Sequence, residues 1–403
     1  MDSYAIDPVI DLATLTADEF PGAAQSTYLS SCTRGLLPMS ARRAVDAHLD
    51  DLALGRTDKS ALFDLIEENR RLFAAMINAT PGEIAMTKNV SEGLNILAAS
   101  LDWQAGDNVV VTLDLEHPNN VYPWLNQEAR HGIKVRAIPD RDGHIDIEAM
   151  IAAMDDRTRL VTLPTVTFSP GFRSDVRHLG EICRKRGVFL LVDAVQSVGV
   201  LHTDVNALGV DGLATSTQKG LCGLYGMGFL YCRDAWAERI TPVYLARFGV
   251  DLGEGAHEAA MGATNYRLMA GAKRFDVGNY NYPAAAACLE SMKILTSVGT
   301  KRIEAHVTQL SHRLVTELLD LGLPVAGGEP GPHLGSIVCI GKPGGGHDST
   351  DDPEIEDLSK HLFENGVIHT IRRGMIRFAL HVYNNVDDVG RVIELTRGWR
   401  ASH

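Results

Sequence analysis

Asp211-Gly-Leu-Ala-Thr-Ser-Thr-Gln-Lys219-Gly-Leu-Cys-Gly-Leu-Tyr-Gly-Met-Gly228 begins apolar, closes on small hydroxyl residues, sets a lysine, and runs through a glycine-rich loop into Phe229-Leu-Tyr231. The pattern predicts two buried strands joined by a turn that carries Lys219. A lysine crowded by small residues at a strand end is partly desolvated, which lowers its pKa and frees the amine to form an imine. Taken alone, a loop lysine is more often simply solvated. The reading therefore depends on its surroundings.

Upstream, Phe189-Leu-Leu-Val-Asp193-Ala-Val-Gln196 places an aspartate directly after an apolar strand. An unpaired carboxylate there is costly. It either caps the next turn or faces a cation, and a protonated pyridine nitrogen is a natural one, since protonation turns the ring into an electron sink. Earlier still, Leu115-Glu-His117-Pro-Asn-Asn follows another apolar run, and His117 either stacks on such a ring or serves only its own loop.

Strands are predicted over 108–113, 160–163, 188–192, 213–215 and 229–231, with helical periods over 145–154 and 176–186 between them. This alternation is the mark of an α/β domain with a mostly parallel central sheet. After Pro283 the texture changes to helices over 284–295 and 302–319. A mixed tail follows, with strands over 336–340 and 376–380 and helices over 355–365 and 386–397. The tail predicts a smaller C-terminal α+β domain, and the Gly- and Asp-rich segment 341–352 reads as a flexible loop.

A chain of 403 residues, 45% apolar, can bury a sizeable core and predicts more than one domain. Its formal net charge of −13 argues against a nucleic-acid footprint and against attraction to an anionic membrane. No stretch approaches the roughly 20 apolar residues needed to cross a bilayer. Residues 1–20 lack the basic and apolar order of a secretory signal, so the expected location is the cytoplasm. The six cysteines are scattered without CxxC spacing and read as buried free thiols, with no metal site expected.

Several motifs fall in a familiar order. They are Tyr28-Leu-Ser-Ser-Cys-Thr-Arg-Gly35, Thr87-Lys-Asn-Val-Ser-Glu-Gly-Leu-Asn95, Glu116-His117, Asp193-Ala-Val-Gln196, Ser216-Thr-Gln-Lys219, Arg274-Phe-Asp-Val-Gly278-Asn279 and Arg377-Phe-Ala-Leu-His-Val-Tyr-Asn384. Each is weak alone; in this order, from Tyr28 to Arg397, the chain resembles the class V aminotransferase family of fold-type I pyridoxal 5′-phosphate (PLP) enzymes, which includes cysteine desulfurases, kynureninase and isopenicillin N epimerase.

The resemblance implies the PLP-dependent transferase fold type I, with a large PLP-binding domain over 41–283, a small domain over 284–403, and an N-terminal segment 1–40 associated with the small domain. It implies a PLP Schiff base on Lys219, Asp193 on the pyridine nitrogen, His117 stacked on the ring and Gln196 on the phenolic oxygen. Val90 and Ser91 open a helix under the cofactor phosphate, where the positive helix end suits an anion, and Ser216 and Gln218 complete the cup. Asn279 takes the place from which relatives reach the neighbouring subunit's phosphate, so a homodimer with shared sites is expected. Arg377 matches the clamp for the substrate α-carboxylate, a task suited to a planar bidentate donor. Arg34 and Arg372 join it on the substrate side.

Four departures bear on the reaction. Gln218 stands for the desulfurases' commoner His, Asn279 for a frequent Thr, and Phe168 for a frequent Asn near the ring. The fourth is the segment Gly366-Val-Ile-His-Thr-Ile-Arg-Arg-Gly-Met-Ile-Arg377, which is short and holds no cysteine, so persulfide chemistry loses its nucleophile. The expected reaction is β-elimination from a small α-amino acid through an external aldimine and a quinonoid. Transamination and epimerisation are the alternatives, and a non-catalytic PLP-fold regulator is the reading from a different class.

Overall fold

The computed structural model describes residues 12–253 and 266–402. Residues 1–11, part of the segment read as lacking a secretory signal, lie outside them.

Seven strands form the central sheet: β1 (Ile84–Thr87), β2 (Asn108–Val111), β3 (Lys134–Ala137), β4 (Thr158–Pro164), β5 (Phe189–Asp193), β6 (Gly212–Ser216) and β7 (Gly228–Cys232). Their order across the sheet is β1-β7-β6-β5-β4-β2-β3, and only β7 runs against its neighbours. All but β3 are nearly wholly buried, and β2, β4, β5, β6 and β7 read as apolar runs for that reason, whereas the equally buried four-residue β1 was not among the predicted strands. The parallel strands β2, β4, β5 and β6 end on one side, where Thr112, Thr165, Asp193 and Ser216 cluster. In α/β sheets that carboxyl edge is where ligands bind.

A second, three-stranded antiparallel sheet holds β8 (Ile337–Ile340), β9 (Thr370–Arg372) and β10 (Met375–Ala379), with β10 in the middle. The β9–β10 hairpin closes on Arg373 and Gly374 alone, and both have positive φ, 51° and 85°. A two-residue turn with both residues left-handed matches the twist of its strands.

The N-terminal segment is stitched to this sheet. Thr27–Tyr28 pairs in parallel with Val367–Ile368, and the Ser31 hydroxyl donates to the carbonyls of Ala379 and Leu380 at 3.1 Å each. The helix Tyr282–Val298, assigned to the small domain on sequence, packs mainly against the large-domain helices Met39–Ala53 and Lys59–Met76. Its buried residues begin with a run of small side chains, Ala284 to Cys288, and continue through Leu289, Met292, Leu295 and Val298.

One buried ion pair anchors the Arg274–Asn279 motif. Arg70 meets Asp276 at 2.7 Å, with the two side chains 1% and 3% exposed. Asp276 also accepts from the Met86 N–H of β1 at 2.8 Å and the Tyr280 hydroxyl at 2.8 Å. Removing one partner of such a pair strands a buried charge, so Asp276→Ala is expected to cost about 3–5 kcal/mol. A urea titration checks this; a loss below ~1 kcal/mol, the worth of a solvent-screened pair, contradicts it.

Candidate active site

Lys219 lies just past the end of β6, in a turn that neighbouring backbone holds tightly. Gly35 donates its N–H to the Gln218 carbonyl at 2.9 Å, and a Cβ on Gly35 would stand 2.3 Å from the Lys219 carbonyl oxygen. On the far side, buried His381 meets the Gly220 carbonyl at 2.9 Å and stacks on Tyr383 at 5.0 Å. Burial pushes His381 down to about 4, so it stays neutral and holds the turn as a hydrogen-bonding group without adding charge.

The lysine opens into a cavity of about 120 Å³ lined by Cys32, Thr33, His117, Phe168, Gln196, Lys219, His347, Arg372 and Arg377. Three segments far apart in sequence meet here. The sheet edge brings Lys219 and Gln196, the N-terminal segment brings Cys32 and Thr33, and the three-stranded sheet and the loop after β8 bring the arginines and His347. Burial lowers the Lys219 pKa against the pull of Asp193, with Arg377 and Arg372 adding to the lowering. The same effects act on His117, held down at about 4 by burial, then by Lys219, Arg372, His347 and Arg377. A neutral His117 is thus a flat, uncharged face in the pocket. Its Nδ1 accepts from the Asn119 N–H at 3.2 Å, and its ring stands edge-on to Phe168 at 5.5 Å.

Asp193 is 4% exposed at the tip of β5, and burial pushes its carboxyl up to about 6 against the Val195 N–H, which donates to it at 3.0 Å, and the Lys219 charge. A cation placed on it would be strongly favoured. Ser216 Oγ accepts from the Val90 N–H at 2.8 Å and so ties the end of β6 to the start of the helix Val90–Ser100. Asn89 caps that helix by accepting from the Glu92 N–H at 2.9 Å, which leaves the Ser91 N–H and hydroxyl at the positive end.

Arg377, 2% exposed in β10, is fixed at three corners. It donates to the Phe168 carbonyl, to Thr370 Oγ1 at 3.2 Å and to Thr33 Oγ1 at 3.3 Å. Arg372 pairs with Asp348 at 2.6 Å.

The structure brings Lys219, His117, Gln196, Arg372 and Arg377 into one cavity, with Asp193, Ser216, Val90 and Ser91 along the same sheet edge. It does not bring in every expected residue. Arg34 is exposed and extends away to the Tyr225 ring, 5.7 Å from its centroid, where the guanidinium keeps its hydration and gains a cation–π contact. Gln218 stands outside the lining. Asn279 lines a separate cavity of about 310 Å³ beside Thr87, Lys88 and Glu92. Sequence reading missed Cys32, Thr33 and His347. Cys32 was read only as one of six scattered thiols, Thr33 lay unremarked inside a quoted motif, and a lone histidine in a glycine-rich loop carries no signal of its own.

Taken as a donor set, a buried carboxylate, a flat neutral imidazole, a helix start with free N–H and hydroxyl groups, and a desolvated lysine fit a phosphorylated pyridine aldehyde. Comparison with known proteins agrees. The family model "Aminotransferase class-V" matches residues 56–392. An uncharacterized aminotransferase, YcbU of Bacillus subtilis, is 29% identical, with the match covering 93% of this chain and 95% of that protein. The apo cysteine desulfurase of Thermococcus onnurineus superposes with a TM-score of 0.81 at 25% identity, covering 99% of this chain and 100% of that one. The cystine C–S lyase C-DES, bound to its product cysteine persulfide, superposes with a TM-score of 0.82 at 26% identity, covering 94% of this chain and 99% of that one. A lysine variant of C-DES, with glycine covalently linked to the PLP cofactor, has the same TM-score at 25% identity and covers 94% and 98%. The pocket around Lys219 and the match along most of the chain lead to one statement: this protein belongs to the class V aminotransferase family of PLP-dependent enzymes.

Proposed function

We propose that this enzyme catalyses β-elimination from a small α-amino acid that carries a leaving group on Cβ. The observation that carries the reading is the β9–β10 hairpin. Its two-residue turn leaves no room for a thiol-bearing loop ahead of Arg377, and residues 340–377 contain no cysteine. Similarity to the cystine C–S lyase supports the same choice.

When bound, PLP supplies an electron sink that acidifies the substrate Cα–H. The rest falls to the chain. Arg377, held at three corners, takes the α-carboxylate with a preset fork and so fixes which bond at Cα faces Lys219. Lys219 Nζ, its pKa lowered by burial, takes the Cα proton as a general base. Asp193 would pair with the protonated pyridine nitrogen of bound PLP, and the neutral His117 face would lie against its ring without adding a competing cation. Phe168 and Cys32 keep the small cavity apolar on one side, which slows entry of water.

Asn279 stands outside the Lys219 cavity of its own chain, which supports a homodimer in which it serves the partner's phosphate. The six cysteines are free and buried, which supports a reducing, cytoplasmic setting.

Elimination of this kind needs no protein thiol. Cys32 is the thiol nearest the chemistry, so Cys32→Ser is expected to keep turnover within about threefold, well short of the hundredfold or more that a catalytic group contributes. Incubating wild type with cysteine and searching by mass spectrometry is expected to show no protein-bound persulfide. A persulfide on Cys32 together with loss of turnover in Cys32→Ser overturns the proposal in favour of desulfuration.

A further inference from the structure

Two arginines line the Lys219 cavity, and they differ in what already holds them. Among the described residues Arg377 meets only neutral groups, whereas Arg372 pairs with the Asp348 carboxylate at 2.6 Å. Both stand on one face of the three-stranded sheet. Thr370 registers with Arg377 and Arg372 with Met375, and residues two apart on a strand share a face. Arg372 is therefore the diagonal neighbour of Arg377, at roughly 7–8 Å. An anionic side chain on a small amino acid clamped by Arg377 would come within reach of it.

Asp348 owes its position to the backbone on either side. The Arg373 N–H donates to the His347 carbonyl at 3.4 Å, and the Gly374 N–H donates to the Ser349 carbonyl at 3.1 Å. The Gly344 N–H adds a third bond, to the Arg373 carbonyl at 3.0 Å. The loop after β8 is thus fastened to the β9–β10 turn, with Asp348 between two anchored residues. His347, which also lines the cavity, meets Asp348 at 3.0 Å and accepts from Arg372. Taking the carboxylate off Arg372 means moving this loop. The Arg372 side chain is 14% exposed and that of Asp348 70%, so the carboxylate covers the guanidinium from the solvent side.

We infer that Asp348 sets the side-chain charge this enzyme accepts: it occupies Arg372, so the pocket takes one carboxylate, at Arg377, and selects amino acids whose β-substituent carries no net charge. Asp348 acts through Arg372 and touches no substrate atom, which makes it a positioning residue. With the pair intact the two charges nearly cancel where the β-substituent lies. With Asp348 neutral, Arg372 becomes free to take a second anion. The inference deepens the elimination reading and rests on it for the β-substituent being the leaving group.

The test uses the PLP-loaded full-length enzyme and two substrates of nearly the same shape, S-carboxymethylcysteine, which is anionic, and S-carbamoylmethylcysteine, which is neutral. The readout is the ratio of kcat/KM for the anionic substrate to that for the neutral one. Asp348→Asn is expected to raise this ratio about fivefold or more, the effect of a partly screened charge contact. Arg372→Gln, which leaves Asp348 uncovered, is expected to lower it, and the double variant to return it to near the wild-type value. Asp348→Glu keeps the charge and is expected to keep the wild-type ratio, which a merely structural role for Asp348 in the loop would not predict. A ratio unchanged in Asp348→Asn overturns the inference. So does a wild type that prefers the anionic substrate and loses that preference in Arg372→Gln, because Arg372 would then receive the anion with Asp348 in place. Dissociation constants for the same two amino acids, read from the cofactor absorption, give the ratio without turnover. If neither substrate yields ammonia and pyruvate, the elimination reading has failed, while the binding ratio still reports on Asp348.

Discussion

Lys219→Ala is expected to lose both the borohydride-fixable bond to the cofactor and at least about 10²–10⁴-fold in turnover, the contribution of a positioned general base. The size of the effect follows from the pocket. Among the residues lining the Lys219 cavity, His117 is held at about 4 by burial and by Lys219, Arg372, His347 and Arg377, and the second imidazole, His347, is engaged by Arg372 and Asp348. No other lysine lines the cavity, so none can form the bond in its place. Reductive labelling followed by peptide mapping checks this, and label on any other lysine contradicts the assignment.

Arg377→Leu is expected to show the second large effect. The guanidinium is 2% exposed, and its contacts to Phe168, Thr370 and Thr33 are neutral groups, so no carboxylate among the described residues competes for its charge. Losing a buried charge-paired contact to a substrate carboxylate costs about 2–5 kcal/mol in kcat/KM. Arg377→Lys should recover only part of this, because a point charge cannot reproduce a two-pronged contact. Arg372 differs: Asp348 already occupies it, and Asp348 is 70% exposed on its loop. Equal kcat/KM in wild type and Arg377→Leu, measured on the same amino acid, would remove Arg377 from substrate binding.

Much of the central sheet was legible because most of its strands are buried on both faces and read as apolar runs. The helix over 176–186 was found residue for residue, since Asp175 caps its start by accepting from the His178 N–H and Gly187 ends it in the left-handed conformation. β3, Lys134–Ala137, was missed because an edge strand that stays partly exposed keeps its polar residues and shows no apolar run. The site divided along similar lines. Lys219, Asp193 and Ser216 each sit at the end of a readable strand, so the sheet places them. Cys32 and His347 reach the cavity only through tertiary folding, one by the N-terminal segment crossing to β10 and the other by a loop that sequence marks merely as flexible. Arg34 shows the converse. A motif fixed where its backbone lies, while the side chain turned to the nearest exposed aromatic ring.

The central claim is elimination without a protein thiol, and the products test it most directly. With cystine or another β-substituted amino acid as the sole substrate, the enzyme is expected to release ammonia and pyruvate in equal amounts, with pyruvate the same whatever leaves Cβ. A keto acid that keeps the substrate's side chain, formed only when an amino acceptor is supplied, would contradict it and assign transamination instead.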